Sequence, residues 1–311
     1  MRVLRGLEEI GSAAVGGAVA IGNFDGVHRG HAQLVGRLLD RAARVGGPAV
    51  VFTFDPHPVQ LLRPEAAPPP LTWAERKAEL LAELGVDAMV AYPTDEQLLA
   101  LTPQEFFDRV ICERLQARAM VEGPNFRFGR GRGGDVRLLE QYCRRAGVAL
   151  EIVPPRMLEG QYISSSRIRE RIQQGDVDAA REMLTRPYRV RGLVTHGARR
   201  GSTLGFPTAN VDGVDTLLPG PGVYAGRART ASGVWPAAIS VGPNPTFAEA
   251  SAKFEVHLIG FRGLLYGEPL EVDFLARLRD IRPFAAVEEL KAQLRQDVVA
   301  AQQIAERLAD L

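Results

Sequence analysis

The stretch AVAIGNFDGVHRGH, residues 18–31, decides how the first half of the chain folds. Its apolar start at 18–21 is typical of a buried strand, and the apolar positions from Leu34 to Ala42 repeat at helical spacing. The glycine-rich segment between them therefore lies where a strand turns into a helix. Free backbone amides and the positive end of the helix dipole meet at such a point, which favours a bound phosphate.

His28 and His31 add two imidazoles to this predicted phosphate site. Imidazoles at a helix start can donate hydrogen bonds to a triphosphate whose charge shifts during a reaction. The alternative interpretation is a tight glycine turn that carries two surface histidines. The His-x-Gly-His spacing in this context favours the phosphate site.

Length and composition limit the classes of protein that the chain can belong to. With 311 residues, 46% of them hydrophobic, it is long enough for two domains with sizeable cores. A net charge of +1 gives no electrostatic case for binding nucleic acid or an anionic membrane. Cys112 and Cys143 have neither metal-site nor disulfide spacing. We find no targeting or membrane-spanning run, and expect a cytoplasmic monomer or weak homo-oligomer.

The pattern of predicted elements changes once along the chain. Predicted strands and helices alternate at first, which indicates an α/β fold with a parallel sheet covered by helices. The second part alternates apolar and polar residues, has a hairpin signal at Ala231-Ser232-Gly233, and ends in a long amphipathic segment. We therefore predict an α/β domain over residues 1–185, followed over 186–311 by an antiparallel β-barrel with a C-terminal helix.

Capping signals predict two helix starts in the first domain. Thr72 and Glu75 have the spacing of a capping box at the start of a predicted helix. Thr102-Pro103-Gln104-Glu105 opens another predicted helix, with proline at its first position.

A second phosphate-binding signal is ISSSRIR, residues 163–169. Its serines fall at the start of a predicted helix, where hydroxyls cap amides and bind phosphate oxygens. Arg167 and Arg169 can neutralise a polyphosphate. Alone, these residues fit a capped helix with exposed arginines equally well; together with His28 and His31 they favour a polyphosphate site.

The glycines of GRGRGG, residues 129–134, match a dinucleotide-binding fingerprint, with Glu151 at the expected distance beyond. We reject this interpretation because the glycines do not directly follow a strand and Glu151 falls within a predicted one. A loop over a polyphosphate and a solvated glycine loop both remain open. Earlier in the domain, Asp55-Pro56-His57-Pro58 follows a predicted strand, and its prolines are expected to shape a rigid rim beside the pocket. We expect His57 to be a turn residue rather than a catalyst.

The second domain carries its own polar segment over residues 196–210, rich in glycine and hydroxyls but without a Walker A motif. Thr208 and Asn210 are two apart, so on an extended strand both side chains face one way. Two neutral oxygens can complete the shell of a Mg²⁺ held mostly by water and phosphate; a polar strand edge is the alternative. Glu255 lies within a predicted strand, where it is either a general base or a solvent-facing glutamate.

The order and spacing of these motifs resemble the bacterial bifunctional riboflavin kinase/FMN adenylyltransferase family, also called FAD synthetases. The resemblance covers nearly the whole chain. It is carried by GNFDGVHRGH, TFDPHP, GPNFRFG and ISSSRIR in the first half, and by GSTLGFPTAN, PGVYAG, NPTF, FEVHL and LYG in the second. It implies a nucleotidylyltransferase-like first domain that joins FMN to AMP from ATP with release of pyrophosphate. It implies a second domain that phosphorylates riboflavin with ATP and Mg²⁺.

Site residues are carried over motif by motif. Those implied to bind ATP and its phosphates in the first domain are Gly22, Asn23, Phe24, His28, His31, Asn125, Ser165, Arg167 and Arg169, with Asn125 acting by hydrogen bonding. Those implied to border the flavin of FMN are Phe54, Pro56, Pro58 and Phe128. In the kinase, the resemblance implies that Thr208 and Asn210 hold Mg²⁺ and ATP phosphates, that Gly205 and Pro207 shape the loop, and that Glu255 is the base.

Two other classes of function were weighed against this resemblance. A flavin-binding or regulatory protein would have lost the motifs of one half, whereas both halves keep theirs. An adenylyltransferase with an RNA-binding barrel is disfavoured by the near-zero net charge and the lack of aromatic and basic clusters in the barrel.

Overall fold

A computed structural model describes residues 1–11, 14–197, 200–244 and 249–309. The motif NPTF, residues 244–247, lies mostly outside them. The chain divides into two compact units, the first formed by Met1–Pro68 and Trp73–Ser164 and the second by Pro69–Thr72 and Ser165–Leu311.

The first unit is built on a parallel sheet. Its strands are β1 (Arg2–Leu4), β2 (Ala18–Ile21), β3 (Ala49–Phe54), β4 (Ala88–Tyr92), β5 (Ala119–Glu122), β6 (Arg127–Phe128), β7 (Gly134–Asp135), β8 (Ala149–Ile152), β9 (Met157–Leu158) and β10 (Gln161–Tyr162). Its helices are α1 (Arg29–Val45), α2 (Pro58–Leu62), α3 (Ala74–Glu83), α4 (Glu96–Ala100), α5 (Pro103–Phe106) and α6 (Val136–Ala146), with 3₁₀ turns at Pro64–Ala66 and Arg130–Arg132 and a π-helix at Phe107–Arg114.

Six of these strands form the sheet, in the order β1-β4-β3-β2-β5-β8, and every pair is parallel. The apolar sequence of the central strands is explained by burial on both faces. Val50 and Phe52 of β3 pack into one core, whereas Ala49 and Val51 pack into the other, together with Leu38 of α1. The chain runs from β2 towards β3 and β4 on one side and resumes at β5 on the other. The ligand crevice of such a sheet lies at this reversal, beyond the carboxyl ends of the strands.

The second unit is a closed antiparallel barrel with helices. Its elements are α7 (Ser165–Gln173), α8 (Val177–Met183), β11 (Tyr188–Thr195), α9 (Arg200–Leu204), β12 (Ala209–Asp212), β13 (Gly222–Thr230), β14 (Gly233–Asn244), β15 (Glu249–Leu258), β16 (Pro269–Arg279) and α10 (Val287–Arg307). The strands close in the order β11-β12-β15-β14-β13-β16. The predicted hairpin is present, because Thr230 pairs with Gly233 across a two-residue turn.

The predicted fold class is therefore confirmed: an α/β parallel-sheet domain precedes an antiparallel barrel with a C-terminal helix. Compactness, however, groups α7 and α8 with the barrel, whereas the change of sequence pattern places the boundary after residue 185. The position of the boundary between functional domains stays a prediction. In the part of the chain that the structure describes, no helix combines the length and apolar character needed to span a bilayer.

One of the two predicted helix caps is wrong. Helix α3 begins at Ala74 with Trp73 at its N-cap and no side-chain cap, so Thr72 lies outside the capping position. At α5 the prediction is confirmed, because Thr102 and Glu105 form a reciprocal capping box and Pro103 is the first helical residue.

Candidate active sites

The first candidate site begins where β2 turns into α1. The His28 side chain caps α1, its Nδ1 accepting a hydrogen bond of 3.2 Å from the backbone N–H of His31. A neutral ring that accepts at Nδ1 carries its proton on Nε2, so Nε2–H remains as the donor. The two imidazoles stack, with centroids 3.6 Å apart and planes at 14°. A Cβ at Gly30 would lie 3.1 Å from the His28 ring, which explains the glycine between the histidines.

Burial keeps both imidazoles uncharged. It lowers the pKa of His28 to about 4, although the negative charge of Asp25 works in the opposite direction. Burial also lowers the pKa of His31 well below its usual value, and the charges of His28 and Lys77 lower it further. Nδ1 of His31 is buried and makes no hydrogen bond within the described ranges. At neutral pH the pair therefore offers hydrogen-bond donors rather than positive charge.

The loop before α1 is tied to the segment after β3. The Thr53 hydroxyl donates a hydrogen bond of 3.1 Å to the backbone carbonyl of Asn23. The side-chain amide of Asn23 lies 2.7 Å from Nε2 of His57. Nδ1 of His57 accepts from the backbone N–H of Val59 and thereby caps α2, so the expected turn role of His57 is confirmed. Its contact with Asn23 was not predicted.

The structure shows the surroundings of three predicted ATP-binding residues, Gly22, Phe24 and Asn125. The Gly22 N–H donates to the carbonyl of Phe52 in the sheet, so this amide is already used. The Phe24 side chain is 2% exposed and packs in the core, with its ring 5.0 Å from that of His31. Only its backbone is left for a nucleotide. Asn125 is exposed in the loop that follows β5, the strand next to β2.

The residues predicted to border the flavin differ in their exposure to solvent. Phe54 and Pro58 are half-buried and Pro56 is exposed, all at the carboxyl end of β3. Phe128, in contrast, is a core residue. Phe126 stacks on it at 5.5 Å between centroids and is more exposed. Sequence alternation within NFRF could have indicated Phe126, because residues two apart on a strand share a face.

A buried carboxyl lies under the same crevice. Glu122, 2% exposed at the end of β5, accepts a hydrogen bond of 2.8 Å from the backbone N–H of Ile21. Burial raises the pKa of Glu122 well above its usual value, which favours its protonated form. It joins β2 to β5 next to the loop, a role that its position at a strand end did not reveal.

The structure supports the rejection of a dinucleotide fingerprint. Glu151 lies in β8 and pairs with Arg37 and Arg41 of α1, at 2.5 Å in each case. The Glu151 carboxylate therefore links β8 to α1. Gly129, at φ +71°, packs so closely on Pro103 that a Cβ would lie 2.6 Å from the proline nitrogen.

The serine–arginine motif opens α7. Arg167 is half-buried, and Nε of Arg169 donates a hydrogen bond of 2.9 Å to the carbonyl of Pro69. Ser165 and both arginines belong to the second compact unit, so their assembly with the histidines into one site stays a prediction.

The second candidate site lies on the barrel wall. Asn210 of β12 stands directly opposite Glu255 of β15, so their side chains share a face. Both are half-buried, whereas Val211 and Val256 point into the barrel and are buried. Thr208 immediately precedes β12.

Two glycines over this face, Gly197 after β11 and Gly201 in α9, make room for the polar groups. A Cβ at Gly197 would lie 2.1 Å from Nδ2 of Asn210, and one at Gly201 would lie 3.2 Å from Oγ1 of Thr208. Both side chains therefore face the same loop. Gly205 adopts φ +88°, a conformation that glycine takes without strain.

His257 is a residue of this site that the sequence analysis did not assign. Its Nδ1 donates a hydrogen bond of 2.7 Å to the carbonyl of Pro207, and its ring lies edge-on to Phe206 at 5.8 Å. It therefore fastens the loop that leads to Thr208. Its spacing of two from Glu255 was the available signal.

Comparison with known proteins assigns each half of the chain to a family. Residues 12–167 match the FAD synthetase family and residues 184–305 match the riboflavin kinase family. The bifunctional riboflavin kinase/FMN adenylyltransferase of Pseudomonas fluorescens is 36% identical over 98% of each chain. The enzyme of the same name from Escherichia coli K12 is 34% identical over 97% of each chain.

A solved structure with the same fold carries a different description. The crystal structure described as a macrolide-efflux protein from Streptococcus pneumoniae superposes with a TM-score of 0.84 at 32% identity, covering 96% of this chain and 98% of that one. The likeness spans both units. The chain thus belongs to the bifunctional riboflavin kinase/FMN adenylyltransferase family, as an enzyme with an FAD synthetase region followed by a riboflavin kinase region.

Proposed function

We propose that the first site transfers AMP to FMN with His28 and His31 as neutral hydrogen-bond donors. A phosphate oxygen of FMN attacks the α-phosphorus of ATP, the bond to the bridging oxygen breaks, and pyrophosphate leaves. No protein nucleophile is required, so the residues act by positioning and by stabilising charge. The observation that carries this proposal is the His28 cap on α1, which sets the tautomer of the ring and stacks it on His31.

The surrounding predicted residues complete this proposal. Asn125, Ser165, Arg167 and Arg169 would bind the ATP phosphates, and backbone groups of Asn23 and Phe24 would contribute to the same site. Phe54, Pro56 and Pro58 would border the flavin. The ties from Asn23 to Thr53 and His57 support a shared pocket for the nucleotide loop and the flavin rim.

In the kinase site we assign Glu255 as the general base for the ribityl 5′-hydroxyl of riboflavin. It would take the hydroxyl proton while that oxygen attacks the γ-phosphorus of ATP and ADP leaves. The cross-strand pairing of Glu255 with Asn210 supports this role, because it places a carboxylate beside the groups assigned to ATP.

Mg²⁺ is proposed as the metal of this second site. The Thr208 hydroxyl and the Asn210 amide lie against Gly201 and Gly197, and neutral oxygens suit a cation that keeps much of its water. These two residues would hold it, and when bound it neutralises phosphate charge. We further propose that the enzyme works in the cytoplasm, where both reactions obtain ATP, as a monomer or weak homo-oligomer.

One assay tests the division of labour. Incubation with riboflavin, ATP and Mg²⁺, followed by chromatographic separation of flavins over time, is expected to show FMN before FAD. His31→Ala is expected to stop at FMN, with FAD formation reduced on the order of 10²- to 10³-fold. Glu255→Ala is expected to form little FMN, yet to convert supplied FMN to FAD at the normal rate. Loss of the same step in both variants would refute the assignment.

A further inference from the structure

Helix α3 carries a buried lysine beneath the first site. Lys77 is only 8% exposed, and its Nζ lies 3.3 Å from the hydroxyl oxygen of Thr53. Thr53 accepts this hydrogen bond and donates its own proton to the carbonyl of Asn23. A hydrogen-bonded chain thus runs from the helix to the loop that carries the histidines.

The charges around Lys77 also come from that loop. Asp25, 7% exposed, precedes α1, and Asp55 follows β3; both negative charges act on the ammonium. They oppose the burial that lowers the pKa of Lys77. From α1, His31 faces the same positive charge. A buried cation at this place is costly unless it is compensated, and one of the compensating groups, Asp25, also acts on His28.

We propose that Lys77 is a positioning residue for adenylyl transfer: its hydrogen bond to Thr53 fixes the loop that leads to His28 and His31, and its ammonium acts on the His31 ring. The proposal rests on the role given above to these histidines. Lys77 acts through Thr53, Asn23 and Asp25 and need not touch the substrates.

The neighbouring cation on the same helix provides a matched control. Arg76 is 6% exposed, and its guanidinium pairs with Glu79 of α3 at 3.0 Å rather than with the loop. Arg76→Met and Lys77→Met therefore each remove one buried positive charge from one helix. Only the second removes a charge that acts on the site.

The decisive measurement is the titration of the five histidines by NMR in the full-length enzyme without substrates. Loss of the ammonium charge in Lys77→Met is expected to raise the pKa of His31, on which that charge acts, by on the order of one unit. FMN adenylylation is expected to fall at least about tenfold, while riboflavin phosphorylation by the same chain stays normal. Arg76→Met is expected to change neither the titrations nor the ratio of the two activities.

Two further variants separate charge from hydrogen bonding. Thr53→Val keeps the ammonium, so the histidine titrations should stay in place while adenylylation falls by up to about tenfold. Lys77→Arg keeps a positive charge and is expected to hold the titrations near their normal values. If Lys77→Met does not fold, Thr53→Val and Lys77→Arg test the proposal instead. Unchanged adenylylation in Thr53→Val then overturns it.

Unmoved titrations in a folded Lys77→Met, or an equal effect in Arg76→Met, also overturn it. Failure of the proposed histidine function would be recognised separately, because His31→Ala would then still form FAD. The titrations are measured without substrate and do not depend on that result.

Discussion

At the scale of single residues, His28 joins the fold to the proposed chemistry. Its Nδ1 caps the N-terminus of α1, which leaves Nε2 as a hydrogen-bond donor. The sequence predicts a phosphate site after β2, because free amides at a helix start favour a bound anion, and this site stays a prediction. The tautomer and the uncharged state of His28 were not predicted, since the first depends on the cap geometry and the second on burial by distant residues.

The lowered pKa of His28 predicts a loss of stability on acidification. Unfolded His28 takes up a proton near pH 6.5, whereas the folded ring does so only near pH 4. Protonation therefore favours the unfolded chain between these values, and the stabilisation is lost as the pH falls through this window. Relative to His28→Asn, which keeps a capping side chain, the wild type is expected to lose about 2 kcal/mol of unfolding free energy between pH 7 and pH 5.

The two tryptophans make this measurement specific to the first unit. Trp73 is 7% exposed there, and Trp235 belongs to the second unit. Urea unfolding followed by fluorescence in a Trp235→Phe background therefore reports on the first unit. The raised pKa of Glu122 has the opposite effect, because it favours the folded state at lower pH. Glu122 is present in both proteins, so its effect is the same in each. Parallel stability curves for wild type and His28→Asn would contradict the prediction.

At the scale of elements, sequence periodicity predicted long segments well and short ones poorly. The alternation of apolar and polar residues from Tyr188 to Thr195 predicts a strand, and β11 has those bounds. Strand β1 was missed, because its three residues are too few to show a period and it is held mainly by pairing with β4. The cap at Thr72 was predicted wrongly because spacing alone cannot show which residue leaves the helical conformation. The sequence predicts that Glu255 lies within a strand, and β15 contains it. The hydrogen bond from His257 to Pro207 could not be predicted, because it joins residues that only the tertiary fold brings together.

This bond predicts an effect limited to the kinase. His257→Phe keeps a ring beside Phe206 but removes the donor that holds the carbonyl of Pro207. The segment leading to Thr208 is then less well positioned, and KM for ATP in riboflavin phosphorylation is expected to rise by up to about tenfold. Steady-state assays of each step with separately supplied flavins measure this.

A matched variant controls for the loss of the imidazole itself. His257→Gln retains a side-chain donor and is expected to have a KM closer to that of the wild type. FMN adenylylation should be the same in all three proteins. A His257→Phe enzyme with normal kinase kinetics, or one that has lost both activities, would argue against this role.

At the scale of the whole molecule, the order of motifs predicted two domains, but not the unit to which helices α7 and α8 belong. The sequence changes pattern after residue 185, whereas α7 and α8 belong to the barrel unit. The sequence could not show this, because an amphipathic helix indicates that a face is buried and not what covers it. In α8 the covered face consists of Val177, Ala180 and Met183, none more than 1% exposed. The backbone N–H of Arg277 in β16 also donates to the Asp178 carboxylate at 3.1 Å.

These contacts predict which fragment of the second unit is stable. A fragment of residues 186–311 exposes the barrel surface that α8 covers and leaves the Arg277 N–H without Asp178. A fragment of residues 165–311 keeps both. Burial of each large apolar side chain contributes roughly 1.5–3 kcal/mol, so the longer fragment is expected to be more stable by several kcal/mol. Thermal unfolding followed by circular dichroism compares the two, with riboflavin phosphorylation as the test of native structure. Both fragments lack residues 69–72, and equal melting temperatures would show that α8 does not stabilise the barrel.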